Sequence, residues 1–167
     1  YFTDPRDGQK YPIITIGNQT WFASNLNYKT STGSYYFNND SLKYANEYGL
    51  LYTFESALIA CPDGWHIPSD DEWKILEMEL GMSQLSADSL WWRYTIVGNK
   101  MKEPGSRLWN YDYDEIATNQ SGLTVKPAGI YYLSTNEFSY PNSITAFWSS
   151  TLHNDMVYIR EFSYRHG

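Results

Sequence analysis

One stretch constrains this chain more than any other: Cys61-Pro62-Asp63-Gly64-Trp65-His66-Ile67-Pro68-Ser69-Asp70-Asp71-Glu72-Trp73. Pro62-Asp63-Gly64 is turn chemistry, because Pro presets φ and Gly accepts a positive φ. Trp65-His66-Ile67 is then extended, since Pro68 pushes Ile67 away from helical geometry. Ser69 is the natural N-cap, and Glu72 three residues on completes a capping box that gives two orphan backbone N–H groups a partner. Asp70, Asp71 and Glu72 stand where the helix macrodipole favours negative charge, so these acids have a structural role before any catalytic one. Trp65 and Trp73 flank the turn and are expected to anchor it in the core.

A helix over residues 70–80 follows from this start. Trp73, Leu76 and Leu80 share one face at helical spacing, and Gly81 supplies the stop. A second short helix is expected over residues 54–60, with Thr53 as its N-cap. Near the N-terminus, residues 9–16 and 19–24 read as a β-hairpin around Gly17-Asn18, with Pro12 keeping the first strand at an edge. Further strands are expected at 130–133, 146–151 and 156–164. Between these elements, residues 29–46 read as one long loop carrying Tyr35, Tyr36 and Phe37, either as a binding surface or as pins for the loop. Residues 82–90 read as a polar connector and 134–143 as a polar loop.

At 167 residues the chain reads as one domain with enough length to bury a core. A net charge of −7 argues against nucleic-acid binding, since no basic patch exists to neutralise phosphates. No run reaches the apolar length that spans a bilayer. The aromatic content is high, with 16 Tyr, 7 Trp and 7 Phe. Such bulk suits an irregular, loop-rich core, and it also suits surfaces that stack on sugars or peptides. The single Cys61 forms no disulfide framework and reads as a buried or unpaired thiol, because no His–acid partner is evident.

The strongest ligand-surface candidate is Leu90-Trp91-Trp92-Arg93-Tyr94. Adjacent Trp residues on an extended backbone point to opposite sides, so one of Trp91 and Trp92 is expected in solvent, beside Arg93 and Tyr94. Tyr111 and Tyr113 are further ligand candidates. Asp112, Asp114 and Glu115 between and after them are weak Ca²⁺ candidates through oxygen ligands, without EF-hand spacing; no other cofactor is expected. No Gly-x-Ser-x-Gly elbow, phosphate loop, His-Glu-x-x-His or Cys-x-x-Cys is present. His66, His153 and His166 lack zinc spacing, and His66 reads as a hydrogen-bonded structural residue. No catalytic residue is assigned, and the chain is expected not to be an enzyme.

Cys61-Pro-x-Gly-Trp-His-Ile-Pro-Ser-x-x-Glu-Trp resembles the signature of the Fibrobacter succinogenes major paralogous domain. The resemblance extends to Ile14-Thr-Ile-Gly-Asn-Gln-Thr-Trp, to Ser121-Gly-Leu-Thr-Val-Lys-Pro-Ala-Gly129 and to Ala146-Phe-Trp-Ser-Ser-Thr151, in collinear order. The Ile-Pro-Ser-x-x-Glu-Trp core is also remotely similar to the Leu-Pro-Thr-x-x-Glu-Trp motif of formylglycine-generating enzymes, which have a C-type-lectin-like fold. That activity would need a copper-binding cysteine pair in the C-terminal half, and Cys61 lies upstream of it. The resemblance implies an α+β, C-type-lectin-like single domain over 1–167: an N-terminal β-hairpin, two short helices and irregular antiparallel strands with long loops. It also implies one more C-terminal strand, expected to be missing here, and with it a second cysteine to match Cys61.

What the resemblance implies about function is an exported bacterial lipoprotein of the Bacteroidetes–Fibrobacter group, on the extracellular face of the outer membrane or secreted, with any export signal or lipid anchor outside this chain. Asp40-Ser41-Leu42 and Asp88-Ser89-Leu90 are similar to the Asp-Ser/Thr-apolar sites at which such bacteria glycosylate exported proteins. Three functions follow in order. A non-enzymatic surface module for a glycan or peptide predicts exposed Trp or Tyr around one concavity. An accessory subunit docking onto an outer-membrane nutrient-uptake or adhesion complex predicts a contiguous apolar patch. An enzyme predicts a deep pocket with perturbed acids.

Overall fold

The structure is a computed structural model, and it describes residues 1–93, 96–105, 107–110 and 117–165. The architecture is mixed α and β, with short helices and small antiparallel strand pairs. Strand β1 (Phe2–Thr3) pairs with β2 (Lys10–Tyr11), and β3 (Ile13–Ile16) with β4 (Gln19–Phe22). The β3–β4 turn is the expected two-residue one, with Ile16 opposite Gln19 and Gly17 at φ 56°. Pro12 breaks the strand between β2 and β3, where it removes a donor but its carbonyl still accepts from Ala23 N–H at 2.8 Å.

Residues 29–46 are not one loop. Strand β5 (Ser34–Tyr35) is followed by a 3₁₀ turn (Phe37–Asn39) and helix α1 (Ser41–Tyr48). Asp40 caps α1 through its carboxylate on the Lys43 N–H, 3.1 Å away. The helix then stacks Tyr44 on Tyr48 and sets Tyr44 edge-on to Phe37. Strand β6 (Leu51–Tyr52) returns to pair with β5, and buried Phe37, packed on Tyr44 and Phe138, pins this segment.

Helix α2 (Phe54–Ala60) starts on Thr53, as expected, with its hydroxyl accepting from Ser56 N–H. Helix α3 (Asp70–Glu79) starts on the full capping box: Ser69 Oγ accepts from Glu72 N–H at 3.2 Å and Glu72 Oε2 accepts from Ser69 N–H at 2.7 Å. Its end is closed by Gly81 at φ 102°, with Gly81 N–H on Met78 C=O and Met82 N–H on Glu77 C=O. Trp73 and Leu76 are buried beneath it.

Two further helices follow, the first inside the 82–90 stretch expected as a polar connector. Helix α4 (Gln84–Ala87) is capped by Ser83, and α5 (Val97–Met101) is buried along most of its length. The C-terminal half adds β7 (Ile130–Tyr132) and β8 (Glu137–Ser139), so 134–143 holds half a hairpin rather than a loop. Then come β9 (Ile144–His153) and β10 (Met156–Ser163), a long hairpin with a bulge between Val157 and Ile159. Trp73, Leu76, Val97, Trp109, Val125 and Phe162 share one core between α3, α5 and the inner face of this hairpin. No helix among the described residues is long and apolar enough to cross a membrane.

Candidate functional site

Side chains alternate faces along a strand, and the two faces of the β9–β10 hairpin differ. On the inner face, Phe147 meets Trp73 and Phe162, and buried Arg160 reaches α3. Arg160 Nε donates to Glu77 Oε1 at 2.9 Å, and its Nη2 lies 2.7 Å from Asp70 Oδ1. Arg93 grips the same Glu77 carboxylate with two bonds of 2.6 Å. Asp70 also holds Lys74 at 3.0 Å, and Lys74 holds Asp88 at 3.1 Å. Three acids thus face three bases, and Glu77 is 2% exposed.

On the outer face, Ala146, Trp148, Ile159 and Glu161 line a groove of about 960 Å³. Strand β4, residues 64–68 and Trp73 line it as well. Phe22 and Trp65 stack there with centroids 4.0 Å apart, while Tyr35 and Tyr131 lie 4.3 Å apart on the β5–β7 side. Trp148 is fixed by its indole N–H, which donates to Tyr52 C=O at 2.9 Å. Buried Trp73 keeps its indole Nε1 without an acceptor among the described residues, a cost that a well-satisfied interior avoids.

Two acids line the groove and are tuned in opposite directions. Burial works to raise the Glu72 carboxyl, but the Ser69 N–H, His66 and the Ser69 hydroxyl outweigh it and hold the group below its ordinary value. His66 Nε2 lies 2.9 Å from Glu72 Oε1, so His66 has the hydrogen bond expected of it. Glu161 is half-buried and has no hydrogen-bond or ion-pair partner among the described residues. Burial alone pushes its carboxyl above the ordinary range. Among the described residues no Lys or Arg lines the groove.

The groove is also bounded by open strand edges. In an antiparallel pair, hydrogen-bonded and non-hydrogen-bonded residue pairs alternate. The Ala23–Pro12 bond fixes the phase, and the β3–β4 register then points the backbone groups of Thr20 and Phe22 away from β3. Among the described residues no strand pairs with β4 on that side. All four β4 residues line the groove although their side chains alternate, so the edge itself opens onto it. Across Trp73, whose ring lies 4.9 Å from Trp21 and 5.8 Å from Phe147, stands β9. Its outward edge meets Gly129 through Ile144 C=O and Pro68 through Ser150 N–H.

The sequence-derived ligand surface is not part of this groove. Trp91 sits at φ 70°, not in extended geometry, and is 92% exposed; Trp92 is 42% exposed. Both indoles therefore reach solvent, where alternation on a strand would have sent one inward. Arg93 is committed to Glu77 instead of to solvent. Tyr94, Tyr111 and Tyr113, and the Ca²⁺ candidates Asp112, Asp114 and Glu115, lie outside the described residues. Among the described residues no group of three or more His, Cys, Asp or Glu is placed to hold a metal ion. Cys61 is a half-buried free thiol on the groove wall, and burial raises its pKa.

Glu161 and the β4 edge were invisible in sequence because their meaning depends on what does not pack against them. The alternation of residues 156–164 marks two faces without saying which is covered.

A family model for the Fibrobacter succinogenes major domain matches residues 14–166. The chain belongs to that family. The match takes in every wall of the groove, from Asn18 through Trp65 and Trp148 to Glu161. No curated protein and no solved structure matches the chain. The capping-box signature of this Fibrobacter succinogenes major domain thus contributes Trp65, His66, Ile67, Pro68, Glu72 and Trp73 to the groove lining.

Proposed function

We propose that this Fibrobacter succinogenes major domain is a non-enzymatic binding module of an exported bacterial lipoprotein, on a C-type-lectin-like scaffold, and that it takes a peptide or glycan ligand in the aromatic groove. The observation that carries the reading is the groove itself: about 960 Å³ of space walled by Trp65, Trp148, Tyr131 and Phe22. Its size lies within the range of ligand sites, which are mostly apolar with few polar groups. Rings in such a wall offer stacking faces to sugars and to apolar side chains alike. The acids support binding over catalysis. Glu72 is spent on the helix cap and His66, which leaves Glu161 without a second group in hydrogen-bond reach among the described residues, and acid–base chemistry usually needs a positioned pair. Placement on the extracellular face of the outer membrane rests on the family resemblance of the sequence.

Titration with oligosaccharide and peptide arrays, read by tryptophan fluorescence, tests this. Tyr131→Ala should weaken binding and Trp91→Ala should leave it intact. Loss on Trp91→Ala with Tyr131→Ala unaffected would move the site to the Trp91–Trp92 surface. A second reading, docking onto an outer-membrane nutrient-uptake or adhesion complex, draws support from exposed Leu152 and Met156 near the tip of the β9–β10 hairpin. A stoichiometric membrane partner, released by Leu152→Asp, would favour it.

A further inference from the structure

We infer that the groove takes an extended segment of a partner polypeptide as an added β-strand, with a Lys or Arg side chain of that segment meeting Glu161. This rests on the reading of the groove as a ligand site and names the ligand's chemistry.

Three independent observations converge. First, Thr20 and Phe22 present backbone N–H and C=O groups from an edge of β4 that no strand among the described residues covers, and that edge opens onto the groove. An exposed edge of this kind is a template for strand addition, and a saccharide has no matching ladder of donors and acceptors. Second, the groove lining beside that edge is apolar and aromatic, with Trp65 stacked on Phe22. One face of an added strand would set alternate apolar side chains against Trp65, Trp148 and Ile159. Third, the charge is one-sided. Among the described residues Glu161 is half-buried without a counter-ion, Glu72 is the other acid, and no Lys or Arg lines the groove. A carboxylate left in this state is costly unless it is paired, so a cationic side chain arriving with the strand gains a partner that the protein does not supply. A neutral glycan offers no such charge.

The probes are a short peptide, Ser-Val-Thr-Tyr-Thr-Lys-Thr-Val-Ser, whose Val, Tyr and Lys share one strand face, and the same peptide with Glu in place of Lys. Binding to the whole chain is read by tryptophan fluorescence, and strand addition by amide hydrogen exchange. The Lys peptide should bind at least about tenfold more tightly than the Glu peptide, and Glu161→Gln should remove most of that difference. The amides of Thr20 and Phe22 should exchange freely without peptide and become protected with it. Equal binding of the two peptides overturns the inference. So does protection of Thr20 and Phe22 before any peptide is added, which would mean the edge is already covered. If an oligosaccharide binds in the groove while neither peptide does, the groove reading stands and the strand inference fails. If neither class binds there, both fail.

Discussion

Arg160 and Glu161 are neighbours in sequence on β10, yet they stand in opposite electrostatic worlds. Arg160 points inward to Glu77 and Asp70 and completes a network in which three acids answer three bases. Glu161 points outward into an aromatic groove and is answered by nothing among the described residues. Both are drawn partly or wholly out of water, so the difference is one of partners more than of burial. A buried charge is tolerable when it is paired and hydrogen-bonded, and raises its own pKa when it is not. The inner face of the hairpin is a finished interior. The outer face has the chemistry of a surface that receives something.

The comparison breaks most sharply at Glu77. Replacing Glu77 with Ala leaves Arg93 and Arg160 without their shared carboxylate, and should cost about 3–5 kcal/mol in urea unfolding. A loss under about 1 kcal/mol would mean the inner network is no better organised than surface charge. Gly129 tests the wall of the groove. It sits at φ 79°, and a Cβ there would lie 2.5 Å from Phe37 Cε2 and 2.8 Å from Ser139 C=O. Gly129→Ala should therefore lower stability by about 2 kcal/mol, and should weaken groove ligands along with it. Ser69→Ala should cost about 1 kcal/mol by opening the capping box.

The smallest effect is expected at the other end of the comparison. Glu161→Gln removes an unpaired half-buried charge, so it should stabilise the free protein by about 0.5 kcal/mol at neutral pH. The sign follows from linkage. The folded-state pKa of Glu161 is raised, so its cost is absent in acid, sets in as pH passes the ordinary glutamate value and is complete above the raised one. The gain from Glu161→Gln should accordingly vanish in acid, which paired melting curves across that window would show. A destabilising substitution at neutral pH would mean Glu161 already has a partner.

How much of this was legible in the sequence follows the range of the interactions. Ser69, Glu72 and Gly81 act within one or two turns of chain, so the start and stop of α3 were readable, as was Thr53 at α2. Helix α1 was not, because its apolar face is only Tyr44 and Tyr48 and much of its hold comes from distant packing on Leu108 and Ala128. Asp40, four residues before Tyr44, was the local signal for it. The ion pair of Arg93 was hidden for the same reason: its partner Glu77 is a helix away. Residues 134–143 hid β8 because a three-residue strand carries little pattern. The groove needs β4, β5, residues 64–68, β7 and the β9–β10 hairpin to come together, and its decisive residue is defined by a missing neighbour.

The most direct test of the account is the pKa of the Glu161 side chain by NMR titration, first in the free protein and then with the Lys peptide bound. The account predicts a value above the ordinary glutamate range in the free protein, where burial alone acts, and a fall below that range once a cation sits against the carboxylate. An ordinary value in the free protein, unchanged by the peptide, would contradict it: the outer face would then be solvated surface and the contrast with Arg160 would disappear.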